Sequence, residues 1–326
     1  MHTFSIVIVN WNSKDYLDRC LQSISATASD LNPEIIVVDG GSFDGCDAML
    51  EQKHKNVRFI QSNENIGFGR SNNLGINAAT GDIVALLNPD TELRPGSLQE
   101  LIKALETHPR CGAVGPRLLN TDGTLQKSCV QAFPSPLNQA LDSDFLRNRF
   151  PRSRLWKTYP AFHQSNPSNV EVLSGACIVA WRKTLNDIGG FTDAYFMYAE
   201  DMDLCKKIYE LNQTIYHVPK SEIIHFGGGS SSTQFSNFAV VMNLESLELY
   251  MELRHGRLRA LVFRILIGLS AAGRFAALRL ALLLNRKDAT ESLKRWQASL
   301  RWALGKEKWT SQYRMAPEQQ APMTLV

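Results

Sequence analysis

The stretch FSIVIVNWNSKDYLDRCLQSI, Phe4 to Ile24, decides the fold class. Phe4 to Asn12 is a β-branched apolar run, which predicts a buried strand. From Lys14 the apolar residues recur at three and four, which predicts a helix, and Ser13 is placed to cap it. A buried strand running straight into a helix is the repeating unit of an α/β sheet. The unit recurs. PEIIVVDGGSFDG gives a second strand ending at Asp39 in a glycine-rich turn. VRFIQS is a third, leading into a loop and helix in NENIGFGRSNNLGINAAT. GDIVALLNPD is a fourth, GSLQELIKALETHP a helix and CGAVGPRLL another strand. This alternation predicts a mostly parallel sheet with helices on both faces.

Sites in such sheets lie outside the carboxyl ends of the strands, where Asn10, Asp39 and Asp90 all fall. LLNPDTELRPGSL, Leu86 to Leu98, reads as a turn that aims one acid at that edge, with Pro95 expected to lead the next helix. A carboxylate there can hold a hard divalent cation, and Mg²⁺ typically uses one or two carboxylates together with phosphate oxygens. A nucleotide diphosphate is then the natural partner. Asp39 either caps its turn or accepts a hydrogen bond from a base N–H, and Asp44 is expected to cap the helix after it. NENIGFGRSNN has G-x-G without the third glycine and follows a third strand, so a dinucleotide fingerprint is not supported. Gly67 and Gly69 let backbone approach a ligand, and Asn65 or Arg70 can reach its polar groups. VEVLSGACIVAWRKTLNDIGGF reads as strand, small-residue turn, strand and a short helix stopped by Gly189 and Gly190. Glu200 and Asp201 open the next helix. They suit its dipole, or one of them takes a proton from an attacking hydroxyl. Asp203 is expected to cap or form an ion pair. His225 ends the last strand pattern before GGGSSS, a donor-rich loop suited to a diphosphate, and can meet that group directly or through the metal.

The remaining composition narrows the classes. The chain has 326 residues, 44% hydrophobic and 21% charged, enough for one large or two smaller globular domains. A net charge of +3 is too small to argue for nucleic acid. Its six cysteines are scattered and form no CxxC pair, which excludes a zinc-finger pattern or a disulfide framework and fits a reducing compartment. The N-terminus enters a strand pattern without a basic leader, so no signal peptide is expected. Lys127 to Asn169 has poor periodicity and reads as a long excursion. From Phe235 the pattern is helical. Arg257, Arg264, Arg279 and Arg286 fall within roughly 60° of one another on a helical wheel, with Arg254 near the same arc. That is either a basic amphipathic element on a membrane surface or a packed helix with a solvated arginine stripe. No stretch of 18 residues is free of charge, so a clean transmembrane helix is not expected. Residues after Arg301 are expected to be weakly ordered.

Taken together, SIVIVNWNSKDYLDRCLQSI, IIVVDGGSFDG, NENIGFGRSNNLGI, ALLNPDTEL, LSGACIVAWRKTLNDIGGFTDAYFMYAEDMDLCKKI and IIHFGGGSS resemble family 2 glycosyltransferases of the GT-A fold, especially their bacterial rhamnosyltransferase-like branch. The resemblance covers about residues 3 to 232 and implies a domain over residues 1–234, and the helical pattern leaves 235–326 as an amphipathic, membrane-associating region. It implies inverting transfer of a sugar, L-rhamnose from dTDP-L-rhamnose as the best expectation, to a hydroxyl of a lipid-linked glycan at the cytoplasmic face of a bacterial membrane. A UDP-hexose donor and a catalytically weak scaffold are the alternatives. The implied nucleotide and donor residues are Val9, Asn10, Asp39, Asn65, Gly67, Phe68, Arg70, Asn88, Gly175 and Ala176. The family's D-x-D position appears here as Asn88-Pro89-Asp90, so a divalent cation, Mg²⁺ or Mn²⁺, would rest on Asp90 with His225. Asp201 matches the catalytic base, with Glu200 beside it. An oligomer is compatible with the pattern.

Overall fold

The computed structural model describes residues 2–227, 237–283 and 290–309. Its strands are β1 (Phe4–Asn10), β2 (Glu34–Asp39), β3 (Val57–Gln61), β4 (Ile83–Leu87), β5 (Thr91–Leu93), β6 (Cys111–Leu119), β7 (Val130–Gln131), β8 (Ser168–Asn169), β9 (Val172–Leu173), β10 (Cys177–Trp181) and β11 (Thr214–His225). Its helices are α1 (Lys14–Thr27), α2 (Cys46–Lys53), α3 (Phe68–Ala78), α4 (Ser97–Thr107), α5 (Pro136–Ala140), α6 (Asp144–Arg149), α7 (Tyr159–His163), α8 (Arg182–Asp187), α9 (Glu200–Glu210), α10 (Asn237–His255), α11 (Arg257–Leu283) and α12 (Thr290–Ala303).

The main sheet runs β3-β2-β1-β4-β10-β6-β11-β5, with β8 also on β11. Every residue of β1 and of β4 is buried, as their unbroken apolar runs require. The half β3-β2-β1-β4 is parallel, as the strand–helix alternation predicts. The other half is mixed: β10 lies antiparallel to both β4 and β6, and β5 and β8 lie antiparallel to β11. Within this half β6 and β11 still run parallel, so the departures from a parallel sheet are the strands β10, β5 and β8, each far in sequence from the strand it pairs with.

Two local expectations are corrected. Ser13 does not cap α1 with its side chain; its hydroxyl donates to Trp11 O. The Asp44 carboxylate takes the Lys14 N–H at 2.9 Å and also the Cys46 N–H at 3.1 Å, so one acid serves the starts of both α1 and α2. Pro95 does not lead α4, because Gly96 follows it at φ +80° and a left-handed residue ends the turn before the helix begins at Ser97.

The C-terminal helices differ most from the sequence reading. Arg254 turns inward and pairs with Asp203 at 2.5 Å and Glu210 at 3.0 Å on α9. This bears out an ion pair for Asp203. Arg264 makes two 2.7 Å bonds to Glu248 of α10 and lies over the Trp302 ring. Arg257 and Arg279 are exposed, and Arg286 lies outside the described residues. The outward face of α11 is therefore mainly apolar, with Arg257 and Arg279 at its margin. Leu258, Leu261, Val262, Ile265, Leu269 and Leu280 are all exposed and share one side at 100° per residue. By length and composition Arg257–Leu282 could cross a membrane, and only 17% of that window is buried. Order continues past Arg301: Trp302 is fully buried, and the Trp309 N–H donates to Glu245 at 2.9 Å. Residues 310–326 lie outside the described residues.

One buried histidine makes stability pH-dependent. His217 of β11 is 0% exposed, and neither ring nitrogen has a partner among the described residues. Burial, helped by the nearby Arg117 charge, pushes its pKa down to about 4 from the usual 6.5. The unfolded chain therefore binds a proton before the folded one does, and stability falls as pH drops from about 6.5 to about 4. That loss reaches about 3 kcal/mol. His217→Leu should lose much less stability than wild type between pH 7 and pH 4.5, measured as the shift in urea midpoint at the two pH values.

Candidate active site

Asn10 and Asp39 stand opposite one another at the carboxyl ends of β1 and β2. Asn10 Nδ2 donates to Asp39 Oδ1 at 2.8 Å. The same carboxylate takes Ser42 N–H at 2.9 Å, Ser42 Oγ–H at 2.5 Å, Phe43 N–H at 3.2 Å and Gln61 Nε2–H at 2.7 Å. Burial alone would raise the Asp39 pKa, but these donors outweigh it and hold the carboxyl below its ordinary range. Asp39 thus anchors the turn Gly40–Asp44, and a further N–H would reach it by displacing one of these donors. Asn10 Oδ1 is a buried acceptor with no partner among the described residues. Val9 precedes it, buried and in register with Val38.

The loop before α3 closes against this turn. Asn65 Oδ1 takes the Gly67 N–H at 3.0 Å, and Gly67 sits at φ +89°. A Cβ there would lie 2.4 Å from Phe196 O, whose carbonyl accepts the Phe68 N–H. Gly67→Ala should therefore cost at least about 2 kcal/mol from the left-handed strain and the clash together, read as a lowered thermal midpoint. Arg70 Nε–H donates to Asp193 O at 3.0 Å, tying α3 to the loop after α8. Phe68 points the other way, its ring 3.6 Å from where a Cβ on Gly175 would be.

Asp201 stands behind Gly175. Tyr198 at φ +69° and Ala199 at φ +62° are consecutive left-handed residues other than glycine, a strained entry that sets where α9 begins. Gly175 N–H donates to Asp201 Oδ2 at 3.0 Å and Met202 N–H to Oδ1 at 2.8 Å. Glu200 is buried beside it, with Oε2 lacking a partner among the described residues. Burial, then the Asp201 charge, pushes Glu200 up to about 8. Burial also raises Asp201, opposed by its N–H donors. Two adjacent carboxyls in a desolvated place cannot both ionise easily, so at neutral pH the pair carries one charge, and the N–H donors favour keeping it on Asp201.

The fourth corner is built by β5, a three-residue strand absent from the sequence reading. Its antiparallel pairing with β11 sets Thr91 opposite His225, which brings Asp90 and His225 together from 135 residues apart: Asp90 Oδ1 lies 3.3 Å from His225 Nε2. Asp90 is 7% exposed, and its carbonyl takes the Phe226 N–H. Asn88 N–H bonds Ala176 O at 3.0 Å, so the Gly175–Ala176 turn joins the Asp201 corner to the Asp90 corner. The sequence reading missed Gln126. Its Oε1 lies 2.7 Å from His225 Nδ1, and its Nε2 donates to His225 O and Asn120 Oδ1. That contact puts a proton on Nδ1 and leaves the Nε2 lone pair on the Asp90 side, the arrangement of a histidine ready to bind a cation. A carboxylate oxygen and an imidazole nitrogen with a fixed tautomer fit a divalent cation. Asp39, Asp44 and Cys46 also bring ligand atoms within 4.8 Å of one another. Both of those carboxylates are taken up by N–H and O–H donors, and burial pushes the Cys46 thiol well up, so this second group suits a metal less.

Residues 5–189 match the model of glycosyl transferase family 2. The chain is 32% identical over 233 residues to an N-acetylglucosaminyl-diphospho-decaprenol L-rhamnosyltransferase of Mycobacterium tuberculosis, covering 68% of this chain and 75% of that protein. It is 24% identical over 245 residues to the rhamnosyltransferase WbbL of Escherichia coli, covering 71% and 86%. Among solved structures, the mannosyltransferase PcManGT of Pyrobaculum calidifontis, in complex with GDP-Man and Mn²⁺, superposes with a TM-score of 0.61 at 17% identity, over 94% of this chain and 87% of that one. GalNAc-T7 with UDP, GalNAc and Mn²⁺ superposes with a TM-score of 0.56 at 14% identity, over 76% and 48%. The mixed sheet with flanking helices is thus the GT-A architecture, and the chain belongs to the family 2 glycosyltransferases, with rhamnosyltransferases among its relatives.

Proposed function

We propose that this glycosyltransferase moves L-rhamnose from dTDP-L-rhamnose, with inversion, to a hydroxyl of a lipid-linked glycan at the inner face of a bacterial membrane, in the synthesis of a cell-surface polysaccharide. The observation that carries the reading is the pairing of two corners on one sheet edge. The buried, adjacent carboxyls Glu200 and Asp201 stand on one side of the Gly175–Ala176 turn, and Asp90 with His225 on the other. In this reading the base of the nucleotide lies against the Asp39 turn and the 65–68 loop. Phe68, Asn88, Gly175 and Ala176 line the donor sugar. Asp201 takes the acceptor's proton as the oxygen attacks the anomeric carbon from the face opposite the diphosphate. The transition state has oxocarbenium character, and one displacement inverts the centre without a covalent intermediate. Asp90 and His225 would hold a divalent cation, which when bound supplies neutralising charge for the departing diphosphate. Arg70, held by one Nε–H bond to Asp193 O, keeps its remaining guanidinium N–H groups for the donor in this reading.

The rhamnosyl donor and the lipid-linked acceptor are supported by the Mycobacterium relative, whose name contains both a rhamnosyl group and a diphospho-decaprenol acceptor. The nucleotide is not set by the fold, since the two solved neighbours carry UDP and GDP-Man. Membrane association is supported by the outward apolar row of α11 with Arg257 and Arg279 exposed beside it. We divide the chain at about residue 234, with α10–α12 as the membrane-associating part. The test is a panel of nucleotide sugars with Mn²⁺ and a prenyl-diphosphate-linked acceptor, read as release of nucleoside diphosphate. Release with dTDP-L-rhamnose is expected. Release with a UDP-hexose alone replaces the donor, and no release with any donor favours a binding scaffold.

A further inference from the structure

A cavity of about 260 Å³ lies away from the candidate active site, between the 127–169 excursion and the junction of α10 with α11. Phe133, Arg154, Lys157, Glu171, His255 and Arg259 are among the residues that line it. Phe133 packs edge-on against Tyr209, eight residues along α9 from Asp201, which is about 12 Å at the rise of an α-helix. The lining is strongly cationic. Glu171 is its one acid, and that carboxylate is committed to Lys157 and to the Phe133 N–H. Arg154 and Arg259 form no ion pair among the described residues. The two come from segments about a hundred residues apart, and His255 stands with them. Like charges drawn to one cavity repel unless an anion sits between them. Two guanidinium forks suit the oxygens of a phosphate.

The surroundings indicate which phosphate. Arg259 stands on α11 beside Leu258, the first residue of the exposed apolar row, 76% exposed. A cationic cavity at the end of an outward apolar face matches a molecule with an anionic head and an apolar tail. We propose that this cavity binds the phosphate group of an anionic membrane lipid, and so fixes the orientation of the domain on the bilayer. The proposal rests on the peripheral-membrane part of the proposed function and not on the identity of the donor.

Two measurements on the full chain test it. The first follows the His255 ring proton by NMR, assigned with His255→Asn, as glycerol 3-phosphate is added. His255 is held below its usual pKa by burial and by Arg259, Lys206 and Arg254, against the weaker pull of Glu210. A bound phosphate should raise it towards the ordinary value. An unmoved resonance overturns phosphate binding. The second is co-sedimentation with phosphatidylcholine vesicles with and without phosphatidylglycerol. Arg154→Gln/Arg259→Gln is compared with Arg257→Gln/Arg279→Gln, which removes the same charge from α11. Removing two surface arginines costs about thirtyfold in affinity for an anionic vesicle through diffuse attraction alone. The cavity pair should lose at least about tenfold more than the α11 pair. Equal losses overturn the site, because the cavity arginines then act only as surface charge. If His255 responds to glycerol 3-phosphate while wild type binds no vesicle, the lipid source is overturned and the membrane reading falls with it. The donor screen is untouched by either result. Arg154 and Arg259 are both exposed, so the double variant should keep the wild-type melting midpoint.

Discussion

Asp201→Asn should lower the turnover number by about a thousandfold, the middle of what a positioned general base contributes, while donor affinity stays within a few-fold of wild type. The amide keeps an oxygen for the Gly175 N–H, which in the native protein is bonded to Asp201 Oδ2 at 3.0 Å, so the turn beside the donor keeps its shape. What is lost is the acceptor of the hydroxyl proton. Glu200→Gln should be far milder at neutral pH. Burial and the Asp201 charge push Glu200 up to about 8, so it is already mostly neutral there. Because burial raises Asp201, kcat/KM should fall on the acid side at a pH above the ordinary aspartate range, near 3.9. A carboxyl whose folded pKa is raised destabilises the fold at pH values above its unfolded pKa and regains that stability as pH falls. Glu200→Gln should therefore raise the thermal midpoint at pH 7, while Asp201→Asn should gain less, because its NH2 faces the Met202 N–H that the carboxylate accepted. Midpoints by calorimetry and initial rates on the same samples check this. An Asp201→Asn protein that keeps wild-type turnover moves the base elsewhere.

The sequence revealed some of these features because local pattern and tertiary role coincide in them. Phe4–Asn10 and Ile83–Leu87 are buried strands because nothing else suits an unbroken β-branched run. Glu200 and Asp201 were visible because acids at a helix start are conspicuous, and Gly175 because a small-residue turn between two strands is. The features that escaped depend on partners distant in sequence. β5 is three residues long and has no period to detect, yet its pairing with β11 is what brings Asp90 to His225. Gln126 lies at the edge of an aperiodic excursion, 99 residues from the histidine it orients. A helical wheel gave the phase of Arg264 correctly but could not show that Glu248 and Trp302 wait on that side. The same wheel left open whether the apolar side of α11 packs on the domain or faces a membrane, and the helix presents Leu258, Ile265 and Leu269 to the outside. Arg70 was visible by its place after the glycines, but not the bond from its Nε–H to Asp193 O, 123 residues away.

Asp90→Ala should abolish tight Mn²⁺ binding and lower transfer by at least about a hundredfold, the scale on which charge stabilisation of a leaving group counts in catalysis. With Asn88 in place of a first acid, Asp90 is the carboxylate of this corner, and its Oδ1 lies 3.3 Å from His225 Nε2. A site of one carboxylate and one imidazole suits Mn²⁺ better than Mg²⁺, which prefers an all-oxygen shell. Mn²⁺ should therefore support faster transfer than Mg²⁺ at equal concentration, and His225→Ala should narrow the difference. Gln126→Leu should weaken Mn²⁺ binding by about tenfold to a hundredfold without touching the metal, by releasing the His225 tautomer. The readout is the electron paramagnetic resonance signal of free Mn²⁺, titrated with and without nucleoside diphosphate, so binding is seen apart from turnover. The backbone of the corner should survive, since Phe226 N–H bonds the carbonyl of residue 90 and not its side chain. If Asp90→Ala keeps full transfer in a chelator, the diphosphate must be neutralised by protein cations instead. Arg19, whose guanidinium lies 5.7 Å from the centre of the Phe226 ring, is then the first side chain to replace.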